Sequence, residues 1–182
     1  PQAILSLMAR LGSADPVELR ANVAEVVAGF DLSKFGSAPT KFDAEDLGPL
    51  TARYLATLSA DDVADVLTSA GVPSDLRVPF WTLVRDNIAT LDDVAGWWAM
   101  LRDGATPLVE DEDREFIAKA LFLLDNPPYT ADTWANWTAV VKDETSRKGK
   151  GLFMPLRKAV TGLERGPEMA DVMPLLQVKP KL

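Results

Sequence analysis

The sequence contains no histidine and no cysteine. Without histidine there is no Ser-His-Asp triad, no imidazole acid or base and no imidazole metal ligand. Without cysteine there is no thiol nucleophile, no disulfide and no thiolate zinc site, which excludes a disulfide-built secreted module. A metal could be held only as a hard cation on carboxylates. No apolar run approaches the ~18 residues of a membrane span. The opening Pro-Gln-Ala-Ile has neither the basic start nor the apolar core of a signal peptide. There is also no Gly-rich phosphate loop. Basic residues are the minority, 19 against 27 acidic ones, so the net charge is −8. That balance argues against a generic nucleic-acid coat but leaves room for a local basic site.

What is present suits a globular fold. The 182 residues are 47% hydrophobic and 25% charged, enough for a real core in one domain or two small ones. A chain that opens at Pro1 on a ready helical pattern reads as a piece of something larger.

The periodicity is helical nearly throughout. Ile4, Leu7, Met8 and Leu11 share one helix face, and Gly12 is a stop. Asp15-Pro16-Val17-Glu18 predicts a helix start, with the helix running to about Gly29. Residues 30–42 break the period and read as loop with at most a short strand. Further helices open at Asp43, at Ser59 (stopping at Gly71), through Phe80 and Trp81 towards Ile88, and at Thr90. The next follow the acidic run Glu110–Glu115 and Thr130, separated by Asn126-Pro127-Pro128. A short helix is expected from about Pro155 to Gly162, and a last one after Gly166-Pro167-Glu168. The expectation is an all-α bundle or cage of about nine helices in two parts, without a recurring repeat signature. The Gly104–Pro107 break suggests a division there, between parts ending at 106 and beginning at 107.

Three constellations could carry chemistry. The acidic clusters Asp61-Asp62, Asp92-Asp93 and Glu110–Glu115 all stand at helix starts, where capping explains them better than a metal, and none has the EF-hand arrangement. Of the tryptophans, Trp134 and Trp137 share a face and read as core. Adjacent Trp97 and Trp98 cannot both point inward, so one is expected at an interface. Such rings could also stack on bases. The third constellation is the segment from Ser146 to Leu163. Arg147, Lys148, Lys150, Arg157 and Lys158 fall within twelve positions without an acid; the remaining 14 basic and 27 acidic residues leave −13 elsewhere. Gly149 and Gly151 permit close backbone approach. Phe153 to Leu156 anchor the loop, and Pro155 is expected to set Arg157 near a helix start. A second helix start, Arg165-Gly166-Pro167-Glu168, follows within ten residues. These parts suit an RNA loop, read through phosphates and unstacked bases.

The run Gly149-Lys150-Gly151-Leu152-Phe153-Met154-Pro155-Leu156-Arg157-Lys158-Ala159-Val160-Thr161-Gly162, then Gly166-Pro167-Glu168 and Leu175-Leu176, resembles the C-terminal signature of bacterial glutamyl-tRNA synthetases, class I aminoacyl-tRNA synthetases. Weaker matches lie upstream. Ile4 to Gly12 is similar to the helix after the family's ATP-site lysine loop, and Lys41 to Leu47 with Thr51 to Leu55 to a further family segment. The resemblance runs through nearly the whole chain in order. It implies the tail of the stem-contact region (1–57) followed by two helical anticodon-binding subdomains. The His-Ile-Gly-His and Lys-Met-Ser-Lys-Ser motifs are absent. The segment is therefore not expected to be catalytic alone and needs no cofactor. ATP and Mg²⁺ would serve the parent enzyme, which joins glutamate to its tRNA.

The same resemblance implies site residues. Arg157 inherits an anticodon-base contact, with Lys150 and Lys158 adding charge. Gly166, Pro167 and Met169 would lie against the same nucleotides, and Arg147 and Lys148 would meet phosphate. Where the family reads the wobble base with an arginine, an ungapped match places Asn87, with Arg85 two residues earlier. That departure implies a parent enzyme that does not strongly reject glutamine tRNA, since an amide reproduces bidentate guanidinium contacts less well. The expected partner is tRNA, carried by a cytoplasmic monomer without membrane contact. The alternative is a helical protein-interaction module on the same scaffold that no longer binds RNA.

Overall fold

The computed structural model describes residues 1–37 and 39–182. Ten α-helices are found among them: α1 Gln2–Met8, α2 Val23–Ala28, α3 Leu47–Thr57, α4 Ala64–Ser69, α5 Arg77–Val84, α6 Asp93–Asp103, α7 Arg114–Phe122, α8 Thr133–Thr145, α9 Lys150–Thr161 and α10 Met169–Val172. Short 3₁₀ turns lead into α3, α5 and α7 and follow α10. Among the described residues there is no strand. The segment 30–42 holds a 3₁₀ turn at Leu32–Lys34 and an isolated bridge between Ser13 and Phe35. The loop reading of that segment includes residue 38, which lies outside the described residues. Among the described residues no helix is long and apolar enough to cross a membrane.

Local chemistry explains most boundaries. Ser59 and Asp62 cap reciprocally ahead of α4: the Ser59 amide and hydroxyl donate to the Asp62 carboxylate at 2.8 and 2.6 Å. These bonds hold the Asp62 carboxyl below the usual carboxylate range. Before α6, the amides of Ala89 and Thr90 donate to Asp93 at 2.9 and 2.8 Å. The stops at Gly71, Gly104 and Gly162 all have positive φ.

Two expected elements differ. The helix expected from Asp15 does not form until Val23. Asp15 is taken by Arg10 at 2.9 Å and Lys34 at 3.0 Å, and the Arg20 amide donates to the Ser6 hydroxyl at 2.9 Å. Asn22 then caps α2 through the Glu25 amide. The second difference is α9, which starts directly after Gly149 (φ 57°) and carries Pro155 inside it. Proline has no N–H for the carbonyl four residues back. That carbonyl, of Gly151, accepts instead from the Arg147 guanidinium at 3.3 Å.

A small core joins Ala3, Leu7 and Leu50 of α1 and α3. The main core is continuous from Leu55 to Leu176, drawing on α3 to α10. Trp81, Trp98 and Trp137 are buried in it, and the Trp81 and Trp137 indole N–H groups donate to the carbonyls of Leu58 and Ala120 at 2.7 and 2.8 Å. Trp134 and Trp137 meet edge-on at 5.5 Å. The loop between α6 and α7 is tied to α9 by the Leu108 amide, which donates to the Lys158 carbonyl at 3.1 Å, and the Gln177 amide donates to the carbonyl of Leu101 in α6 at 2.9 Å.

Candidate nucleic-acid interface

Helix α6 has two faces. Val94, Trp98 and Leu101 enter the core. Asp93, Gly96, Trp97, Met100 and Asp103, in the same 3.6-residue period, line an open groove of about 1080 Å³. The opposite wall is the end of α9 and the loop after it, Thr161 to Leu163 with Arg165 and Gly166. Asn87 closes one end. The half-exposed member of the tryptophan pair is thus Trp97, and it faces the groove.

Arg157 lies in the second half of α9, not at a helix start as expected, because the helix continues through Pro155. Its guanidinium turns towards the 166–167 turn and donates to the Pro167 carbonyl at 2.9 Å. A side chain on Gly166 (φ 152°) would meet both Trp97, at 3.6 Å, and Arg157, at 3.7 Å. Arg157, Gly166 and Pro167 therefore stand together beside the groove, and among the described residues four of the five guanidinium N–H groups carry no bond. Met169 is 2% exposed and belongs to the core; only its backbone can face a partner.

Asn87 is exposed and donates from its side-chain amide to the Leu83 carbonyl at 3.1 Å. A carbonyl only accepts, so the NH₂ must face it, and the amide oxygen remains free as an acceptor. Arg85 is half-buried at the end of α5, with Nε 3.9 Å from Asp86 and without a hydrogen bond, and it does not line the groove.

Arg147, Lys150 and Lys158, but not Lys148, line a second groove of about 590 Å³ together with Glu112, Asp113 and Met154. Here the acidic run differs from its expected role. No carboxylate of residues 110–115 caps α7 or the turn before it. Asp113 binds the Arg147 guanidinium, which also sits 4.0 Å over the Phe116 ring. Glu110 and Glu164 accept from the Lys158 ammonium at 2.9 and 3.4 Å. The bond from Glu110 is the chief cause of a Lys158 pKa above the ordinary lysine range. Two of the five cations in the basic segment are thus partnered by acid from this chain. Arg147 is a strut between α7 and α9 rather than a loose phosphate contact. Lys148 and Lys150 are exposed and make no ion pair among the described residues.

Reasoning from the residues alone underweighted Trp97, Gly96 and Arg165. The signal was available for the first two: they fall on the α6 face opposite Val94, Trp98 and Leu101. For a metal the arrangement fits poorly. No group of three or more acidic side chains converges as a metal site among the described residues.

Among the described residues the scaffold is helical, with Trp97 lining one groove, Arg157 beside it, and the exposed Lys150 lining a second. The chain belongs to the anticodon binding domain family, whose model matches residues 44–179. It is 62% identical over 178 residues to glutamate–tRNA ligase 1 of Ruegeria pomeroyi, covering 98% of this chain and 40% of that protein. It is 61% identical to glutamate–tRNA ligase 1 of Roseobacter denitrificans, with the same coverage. The chain therefore spans about 40% of the length of the curated relatives it matches. Among solved structures, glutamate-tRNA synthetase from Elizabethkingia anophelis superposes with a TM-score of 0.69 at 20% identity, over 97% of this chain and 38% of that one. This last likeness is one of fold.

Proposed function

We propose that this chain is the tRNA anticodon-binding segment of a glutamate–tRNA ligase. One observation supports it above the others: Asn87 and Gly166, about eighty residues apart in sequence, line one groove with Trp97, and Arg157 stands at its rim. In this reading residues 1–57 form the tail of the stem-contact region, while 58–106 and 107–182 grip the anticodon arm together. The parent enzyme supplies ATP, Mg²⁺ and the joining of glutamate to tRNA in the cytoplasm, from parts outside this segment. Arg157 contacts a base or phosphate at the 166–167 turn. Lys148 and Lys150 face phosphate, and Lys158 adds positive potential that Glu110 and Glu164 offset.

The wobble reading follows from Asn87. With its NH₂ on the Leu83 carbonyl, the Asn87 side chain offers a partner only an acceptor oxygen, where a guanidinium would donate two bonds from a fixed fork. The parent enzyme should therefore charge both glutamate and glutamine tRNA, and Asn87→Arg should restrict it to the former. Charging assays on both tRNAs with the full-length enzyme test this; strong rejection of glutamine tRNA by the unaltered enzyme overturns it.

RNA binding itself is tested by titrating glutamate tRNA against the chain at low and high salt. The reading requires binding that weakens with salt, because phosphate neutralisation releases counterions. Salt-insensitive or absent binding would favour a protein-interaction module.

A further inference from the structure

The turn between α8 and α9 has few anchors. Ser146 (φ 55°) and Gly149 (φ 57°) both take positive φ. From Ser146 to Gly151 only Arg147 is half-buried, and the rest are exposed. Among the described residues no other side chain from Ser146 to Lys150 makes a hydrogen bond or an ion pair. Side-chain anchoring of this turn therefore falls to Arg147.

Its contacts come from two helices. At the start of α7, Asp113 accepts from the Arg147 Nη1 and Phe116 lies 4.0 Å beneath the guanidinium carbon. On α9 the Gly151 carbonyl, left without a helical donor by Pro155, accepts from the same nitrogen at 3.3 Å. The ion pair leaves Arg147 33% and Asp113 17% exposed, so it is better shielded than a surface pair. A carboxylate, a carbonyl and a ring thus occupy this arginine, while the residues on either side of Gly149, Lys148 and Lys150, keep their ammonium groups unpaired. Holding their backbone in place before a partner arrives saves entropy that binding would otherwise cost.

We propose that Arg147 is a positioning residue for RNA: clamped by Asp113 and Phe116, it fixes the turn that presents Lys148 and Lys150 to phosphate and makes no phosphate contact itself. The proposal rests on the RNA-binding reading above and deepens it.

The test uses the 182-residue chain and a glutamate tRNA transcript at low salt, with thermal melts to establish that each variant is folded. Asp113→Asn removes a negative charge, which by electrostatics alone strengthens binding to a polyanion. As part of the clamp it should instead weaken binding by roughly threefold, as the added cost of ordering a side chain does. Arg147→Met should weaken binding at least as much. Neither change should have a further effect once Lys148→Ala and Lys150→Ala are both present, because a residue acting through the lysines then has nothing to position. The chain has no cysteine, so a nitroxide attached at Lys148→Cys reports this turn without RNA, and Asp113→Asn should make it more mobile. If Asp113→Asn tightens binding, if removing the two lysines costs no affinity, if the arginine and lysine effects add, or if the nitroxide stays as immobile as in the parent, the positioning role is wrong and RNA binding stands. If the parent chain does not bind the transcript, the RNA reading fails and the positioning role with it.

Discussion

The Arg157 guanidinium donates to the carbonyl of Pro167 at 2.9 Å, joining the second half of α9 to the turn that precedes α10. The bond sets the direction of the arginine with one of its donors. Replacing Arg157 by alanine should cost about 1 kcal/mol of stability, the net worth of a partly exposed hydrogen bond. It should lower tRNA affinity on the order of tenfold. Arg157→Lys should recover the charge but not the fork, and so fall between the two. Denaturant melts and tRNA titrations on the same preparations separate the two effects.

Lys158 is held by Glu110 and Glu164. Because its pKa is raised in the folded state, the stabilisation from this pairing is fully present below the ordinary lysine value. It is lost only as pH rises through the higher folded value, so melting curves near neutral pH should not reveal it. Glu110→Gln should free part of the charge: tRNA affinity at low salt should rise roughly two- to fivefold, with a steeper salt dependence. Glu45→Gln, an equal change of charge at the exposed turn before α3, should do less. Equal effects of the two substitutions would show that only net charge matters.

Tyr129 is buried after α7 and donates to the Asp125 carbonyl at 2.9 Å. Burial, with the nearby Asp125 carboxylate, pushes its pKa from 10.0 to about 12. The folded state therefore keeps a proton that the unfolded state has lost in this interval, and stability should fall as pH rises from about 10 to 12. Ultraviolet titration of phenolate, compared between the parent chain and Tyr129→Phe, should show the late-titrating group disappear. The variant should also have a flatter stability curve across that interval.

Gly162 ends α9 at φ 68°, and a Cβ there would stand 2.6 Å from the Thr106 carbonyl oxygen. Gly71 ends α4 at φ 79° with nothing within 4 Å of its added Cβ. Gly71→Ala should cost only the backbone strain, about 1 kcal/mol. Gly162→Ala should cost about 2 kcal/mol or more, since the strap between the loop 104–108 and α9 must shift as well. Chemical denaturation of both variants checks the difference.

The helices, their caps at Ser59, Asp62 and Asp93, and their glycine stops were legible because each depends on residues within one or two turns. So was the family signature from Gly149 to Glu168, which follows chain order. Asp15 was misread because its carboxylate is held by Arg10 and Lys34, five and nineteen residues away, instead of capping a helix. Pro155 was misread as a start because the residue that replaces its missing bond, Arg147, acts from outside the helix. The acidic run 110–115 was assigned to capping for a similar reason: its partners Arg147 and Lys158 are 34 and 48 residues distant. The sequence by itself determined that this chain is helical, where its helices stop and that its basic residues gather in one segment. Tertiary packing alone decided which of those cations stay free, that Trp97 rather than Trp98 faces outward, and that Asn87 and Gly166 share a groove. Helix period and capping are local interactions, whereas ion pairing and groove formation depend on which helices the buried core brings side by side.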